Sequence, residues 1–134
     1  MSARSDAALR RFTEGYNCAQ SVVYAFRDRF PFDEDVALRL ACGFGSGMGR
    51  KEEVCGAVSG GVLVLGATFG RGERDDPTAT ETTYRKTRAF IEEFEARRGS
   101  FLCRTLLGGC ELTTDQGQRE YKENDLFERV CKPC

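Results

Sequence analysis

Histidine is absent from this 134-residue chain. The commonest proton shuttle near neutral pH and the commonest metal ligand are therefore missing. Acid–base work is left to Cys, Asp, Glu, Lys or Tyr, and a metal site would need thiolates, carboxylates or backbone oxygens. A surplus of charge is absent too: 20 Lys and Arg stand against 21 Asp and Glu, for a net charge of −1. Nothing resembles the basic stripe of a nucleic-acid binder, so no nucleic acid partner is expected. A long hydrophobic run is also lacking. The most apolar segment, Val54 to Phe69, is rich in glycine and short for a membrane span, which needs roughly 20 apolar residues. The first residues, Met1 to Asp6, lead into a charged amphipathic stretch with no secretory pattern. No transmembrane segment and a cytoplasmic location are the expectations.

What the chain does have is cysteine: seven, at positions 18, 42, 55, 103, 110, 131 and 134. Its length suits one domain, residues 1–134, with a core that needs no disulfide staples. In a reducing compartment, clustered thiols are more often metal-binding or catalytic than structural.

The apolar spacing predicts helices throughout. Leu9, Phe12, Tyr16, Ala19, Val23, Phe26 and Phe30 recur every three or four positions and predict one helix over 6–30, ended by Pro31. A second helix is predicted over 33–42, with Asp33 as its cap. Gly43-Phe44-Gly45-Ser46-Gly47-Met48-Gly49 reads as a loop with unusual backbone angles. A third, central helix runs from about Lys51 to Phe69, where Gly56 and Gly60 fall on one face and permit close helix contact. A fourth covers Ala79 to Arg98, with Tyr84, Thr87, Ile91 and Phe94 on its apolar side and Gly99 as its stop. Shorter pieces cover 101–107, a stretch capped by Thr113 or Thr114 and running to about Lys122, and 126–131. The expected fold is an all-α single-domain bundle of four to five helices, with a glycine-rich loop before the central helix.

That glycine loop is not a phosphate cradle. It lacks the Gly-Lys-Ser/Thr ending of a P-loop, and no βαβ context surrounds it. Its expected role is to join the second and third helices and bring backbone N–H groups near Cys55.

Among the thiols, Cys55 is the leading candidate. It falls in the first turn of the third helix, where free N–H groups and the helix dipole favour a thiolate, and Arg50 and Lys51 are close by. Gly56 and Ala57 leave its sulfur open. Cys18 and Cys42 read as small buried hydrophobes. Cys103 and Cys110, seven apart, suit a shared site without requiring one. Cys131-Lys132-Pro133-Cys134 is similar to a thioredoxin-type redox centre, but those centres open a helix that follows a strand, and no strand is expected here.

Several segments together resemble one family. They are Glu14 to Ser21, Gly43 to Arg50, Cys55-Gly56-Ala57-Val58-Ser59-Gly60, Leu102 to Gly108, and Val130-Cys131. The resemblance is to the C_GCAxxG_C_C family of redox-active bacterial and archaeal proteins of about this length. It implies that Cys18, Cys55, Cys103 and Cys131 are the hallmark thiols, with Cys110, Cys134 and Cys42 as accessories. Three functions are open. The first is thiol–disulfide exchange or electron transfer with a redox partner protein. The second is a zinc or iron–sulfur site with the four hallmark cysteines as ligands. The third is a structural helical subunit with packed thiols, in which the close-packing face of the third helix serves a homodimer.

Overall fold

The computed structural model describes residues 2–134, and no strand forms among them. The all-α class holds, with eight α-helical segments in place of the expected four to five. The extra segments come from breaks that apolar spacing does not register. Residues 6–30 form not one helix but two, α1 (Ala3–Thr13) and α2 (Cys18–Ala25), followed by a 3-10 turn at Arg27–Arg29. Gly15 makes the break at φ +101°, a conformation open to glycine. Asn17 then restarts the chain. Its side chain accepts from the Gln20 N–H at 2.9 Å, and the Gln20 side chain accepts from the Asn17 N–H at 3.1 Å, a reciprocal capping box. The apolar period runs across the break because α1 and α2 pack on each other.

Asp33 caps α3 (Glu34–Cys42) as expected, accepting from the Val36 N–H at 3.0 Å. The glycine segment after it has the unusual backbone that the sequence predicts. It contains the short α4 (Gly45–Met48), and Ser46, Gly47, Met48, Gly49 and Arg50 take φ of +54°, +68°, +69°, +60° and +68° in succession. This is a turn of left-handed backbone, disfavoured by about 1–2 kcal/mol at each non-glycine position. Position 47 admits only glycine, since a Cβ there would lie 2.5 Å from the Glu52 Cα.

The central helix, α5 (Gly56–Phe69), opens later than Lys51. The preceding residues are held extended by an isolated antiparallel bridge between Val54 and Leu102. The Cys55 N–H donates to the Phe101 carbonyl at 2.8 Å, and the Cys103 N–H donates to the Glu53 carbonyl at 2.7 Å. Helix α5 then packs closely on α2, as its glycines predict. A Cβ at Gly60 would come within 2.9 Å of the Ala19 carbonyl oxygen, and one at Gly56 would overlap the Cys18 sulfur. Ala19, Val23 and Val58 are fully buried along this contact. The face of α5 expected to serve a homodimer is therefore covered by α2 of the same chain.

On its other side α5 meets α6 (Thr78–Arg98), where the Phe90 ring lies over Gly61. Phe94 is buried there as expected, but Tyr84 turns to solvent with 57% of its surface exposed. Gly99 ends α6 at φ +88°. Two short helices follow, α7 (Cys103–Leu106) and α8 (Asp115–Glu123), the latter capped by the Thr114 hydroxyl on the Gly117 N–H at 2.9 Å. A π-helical turn at Phe127–Cys131 returns the chain to α1, where the Phe127 and Phe12 rings meet at 4.5 Å between centroids. Among the described residues no helix is long and apolar enough to cross a membrane.

Candidate functional site

Three of the four hallmark thiols stand at helix starts. Cys18 is the first residue of α2, Cys55 is the residue just before α5, and Cys103 is the first residue of α7. The Gly56–Cys18 contact sets α2 against the start of α5, and the hydrogen bonds around Val54 and Leu102 tie the start of α7 to the same place. The Ser46 backbone favours the Cys18 thiolate, against the larger effect of burial. The glycine segment does what the sequence predicts in joining helices, and its backbone acts on Cys18 instead of Cys55.

Cys131 and Cys134 arrive from the C-terminal turn. The Cys134 side chain packs on the cluster of Cys55, Ala57, Val58 and Phe94. Cys18, Cys131 and Cys134 line one cavity of about 340 Å³ together with Phe12 and Val22. Cys131 also packs against the cluster of Cys103, Leu107, Cys110 and Leu112. None of these thiols is in a disulfide.

Two corrections concern Cys55. Its sulfur is not open, since the residue is only 9% exposed. Nor is it the acidic thiol that its helix position predicts. Its pKa is pushed up, first by the neighbouring Cys134 thiol and then by burial, against the Ala57 and Val58 N–H groups that favour its thiolate. The magnitudes decide the outcome. A helix terminus contributes about 0.3–1 kcal/mol, which moves a pKa by less than about one, whereas full burial moves it by up to about 3–5. Cys134 moves the opposite way. Its pKa is lowered, first by the Cys55 thiol and also by the positive charge of Arg98. Of the two, Cys134 is the more acidic thiol.

The remaining thiols are held neutral. Burial raises Cys18 and Cys103, and the charge of Glu52 adds to the effect on Cys103. One carboxylate oxygen of Glu52 is itself buried without a hydrogen-bond partner. Cys131 is pushed up to about 11 by burial, although the Tyr121 hydroxyl, donating to its sulfur at 3.3 Å, pulls in the other direction. Tyr121 is a site residue that the sequence pattern does not single out. The absence of histidine is the available clue, because it leaves tyrosine among the few groups able to donate a proton to sulfur.

The accessory cysteines separate. Cys134 joins the site. Cys110 stays outside it, buried beside Leu107 and Leu112, with its S–H donated to the Gly117 carbonyl at 3.1 Å. Cys42, expected in the core, is exposed at the end of α3. The C-terminal Cys-Lys-Pro-Cys follows the end of a helical turn instead of opening a helix, the reverse of a thioredoxin centre. Among the described residues no three cysteine, aspartate or glutamate side chains group closely enough to hold a metal ion.

No curated protein and no solved structure matches the chain. The family described as "Putative redox-active protein (C_GCAxxG_C_C)" matches over residues 16–134, a span holding every cysteine of the site, and the chain belongs to that family.

Proposed function

We propose that the protein carries electrons by thiol–disulfide exchange at the Cys55–Cys134 pair. The packing of Cys134 against the cluster that holds Cys55 is the observation that supports the reading, and the opposite pKa shifts of the two thiols agree with it. Cys134 is the attacking sulfur, since it is the more exposed and the more acidic of the two. Cys55 is the resolving thiol, buried at the start of α5. Starting from the protonated dithiol, oxidation joins the two sulfurs in one disulfide and releases two electrons and two protons, and reduction by a partner dithiol reverses it. Cys18, Cys103 and Cys131 surround the pair, and their raised pKa values keep them from competing as nucleophiles near neutral pH. In a reducing cytosol the pair rests as the dithiol.

Anaerobic purification followed by metal analysis, an absorption scan and alkylation mapping tests this. The expected result is a metal-free, colourless protein that forms a Cys55–Cys134 disulfide under a mild oxidant and loses it on reduction. Stoichiometric zinc or iron, or a disulfide that never includes Cys134, overturns the reading.

A further inference from the structure

The proposed redox pair borders two unlike cavities that share Cys134. The cavity holding Cys18 and Cys131 is largely apolar, with Leu9, Phe12 and Val22 in its wall. The other, of about 400 Å³, is lined by Arg97, Arg98, Arg129, Ser100 and Thr105 around the same Cys134. Arg97 is partly committed, its Nε donating to Glu93 at 2.8 Å. Arg129 donates one N–H to the Asn124 backbone carbonyl at 3.2 Å, and neither it nor Arg98 pairs with a carboxylate among the described residues. A guanidinium carries five donors and no acceptor, in a fork that fits a carboxylate. Two such groups with donors to spare beside a sulfur make a receptor for an anion that also reacts with sulfur.

We propose that this second cavity binds the oxidant of the pair, and that the oxidant is a small disulfide bearing carboxylates. The inference rests on the dithiol reading above and adds a substrate class to it. Arg98 and Arg129 hold the carboxylates and bring the ligand S–S bond to Cys134. The Cys134 thiolate attacks one ligand sulfur. The ligand S–S bond breaks, a mixed disulfide forms at Cys134, and one ligand thiolate leaves. Cys55 then passes its proton to the ligand thiolate already released and attacks the Cys134 sulfur, closing the Cys55–Cys134 disulfide and expelling the second ligand thiolate, which takes a proton from solvent. Two protein thiols are oxidised and one ligand disulfide is reduced to two thiols. The Arg98 charge favours the thiolate that starts this sequence.

The test is the oxidation rate of the fully reduced protein by three small symmetric disulfides: anionic dithiodiglycolate, neutral hydroxyethyl disulfide and cationic cystamine. Each rate is divided by the rate of the same disulfide with a free model thiol, which removes intrinsic reactivity. The anionic disulfide should be favoured over the neutral one by roughly tenfold, the lower end of what a charged cleft adds to an encounter rate, and the cationic one should be slowest. The preference should shrink toward unity in high salt and in an Arg98→Gln/Arg129→Gln variant whose melting is checked separately. Equal normalised rates for all three overturn the substrate class and leave the dithiol reading standing. Failure of all three to close a Cys55–Cys134 disulfide overturns both.

Discussion

Cys134 and Cys110 are the same residue in two different settings, and the proposed function gives them opposite roles. Cys110 sits among leucines and commits its S–H to a backbone carbonyl, so its sulfur packs as a small hydrophobe. Cys134 sits against another thiol, beside an arginine and at the wall of two cavities. Cys110 is fully packed and Cys134 only partly, and the neighbours differ as well: a backbone carbonyl for one, a thiol and an arginine for the other.

The largest expected effect breaks this comparison directly. Cys134→Ser and Cys55→Ser should each abolish the oxidant-induced intramolecular disulfide, while Cys110→Ser and Cys42→Ser should leave it intact, as read by peptide mass mapping without reduction. Loss of the disulfide in the Cys110 variant would remove the distinction between the two environments.

Alkaline pH should sharpen it. A thiol whose folded pKa is raised binds its proton more tightly in the native state. Its contribution to stability is full below the unfolded pKa and is lost as pH rises through the folded one. For Cys131, moved from 9.0 to about 11, the loss falls between roughly pH 9 and pH 11. At about 1.4 kcal/mol for each tenfold change in proton affinity, the loss amounts to about 2–3 kcal/mol. Urea midpoints should fall over that range, and Cys131→Ala should flatten the slope. A wild-type midpoint that does not change between roughly pH 8.5 and pH 10.5 would contradict the burial of this thiol.

Two glycines of α5 should respond in opposite directions. Gly56→Ala places a Cβ on the Cys18 sulfur and should destabilise by about 1–3 kcal/mol, the cost of overpacking a tight contact. Gly66→Ala, exposed and with nothing within 4 Å of the added carbon, should stabilise by about 0.5–1 kcal/mol, because alanine loses less entropy in a helix. Denaturant midpoints measure both, and equal effects would mean that α2 does not press on α5 at Gly56. The smallest effect is that of Tyr121→Phe. Removing the hydroxyl donor should raise the Cys131 pKa further and slow its alkylation under alkaline conditions, with little change at Cys110. A faster reaction would show that Tyr121 shields Cys131 more than it polarises it.

The parts of the fold that are legible in sequence are those set by neighbouring residues. Asp33 and Thr114 cap helices, Gly99 ends α6, and the glycine segment takes left-handed backbone, each through a bond or torsion a few residues away. The break at Gly15 is just as local, but the apolar period runs straight across it and masks the Asn17–Gln20 capping pair. The start of α5 lies later than expected for a different reason: its preceding residues bond to Phe101 and Leu102, distant in the chain.

The site divides in the same way. The sequence by itself established an all-α chain, the family, a supply of thiols without histidine, and Cys55 at the mouth of a helix. Tertiary structure alone decided which sulfur packs beside Cys55. That sulfur belongs to Cys134, carried back by the Phe12–Phe127 contact and brought near Arg98. It also decided that Cys55 is buried, which reverses its acidity. A helix terminus is a property of a few consecutive residues, whereas burial and proton sharing depend on what the rest of the chain packs against them.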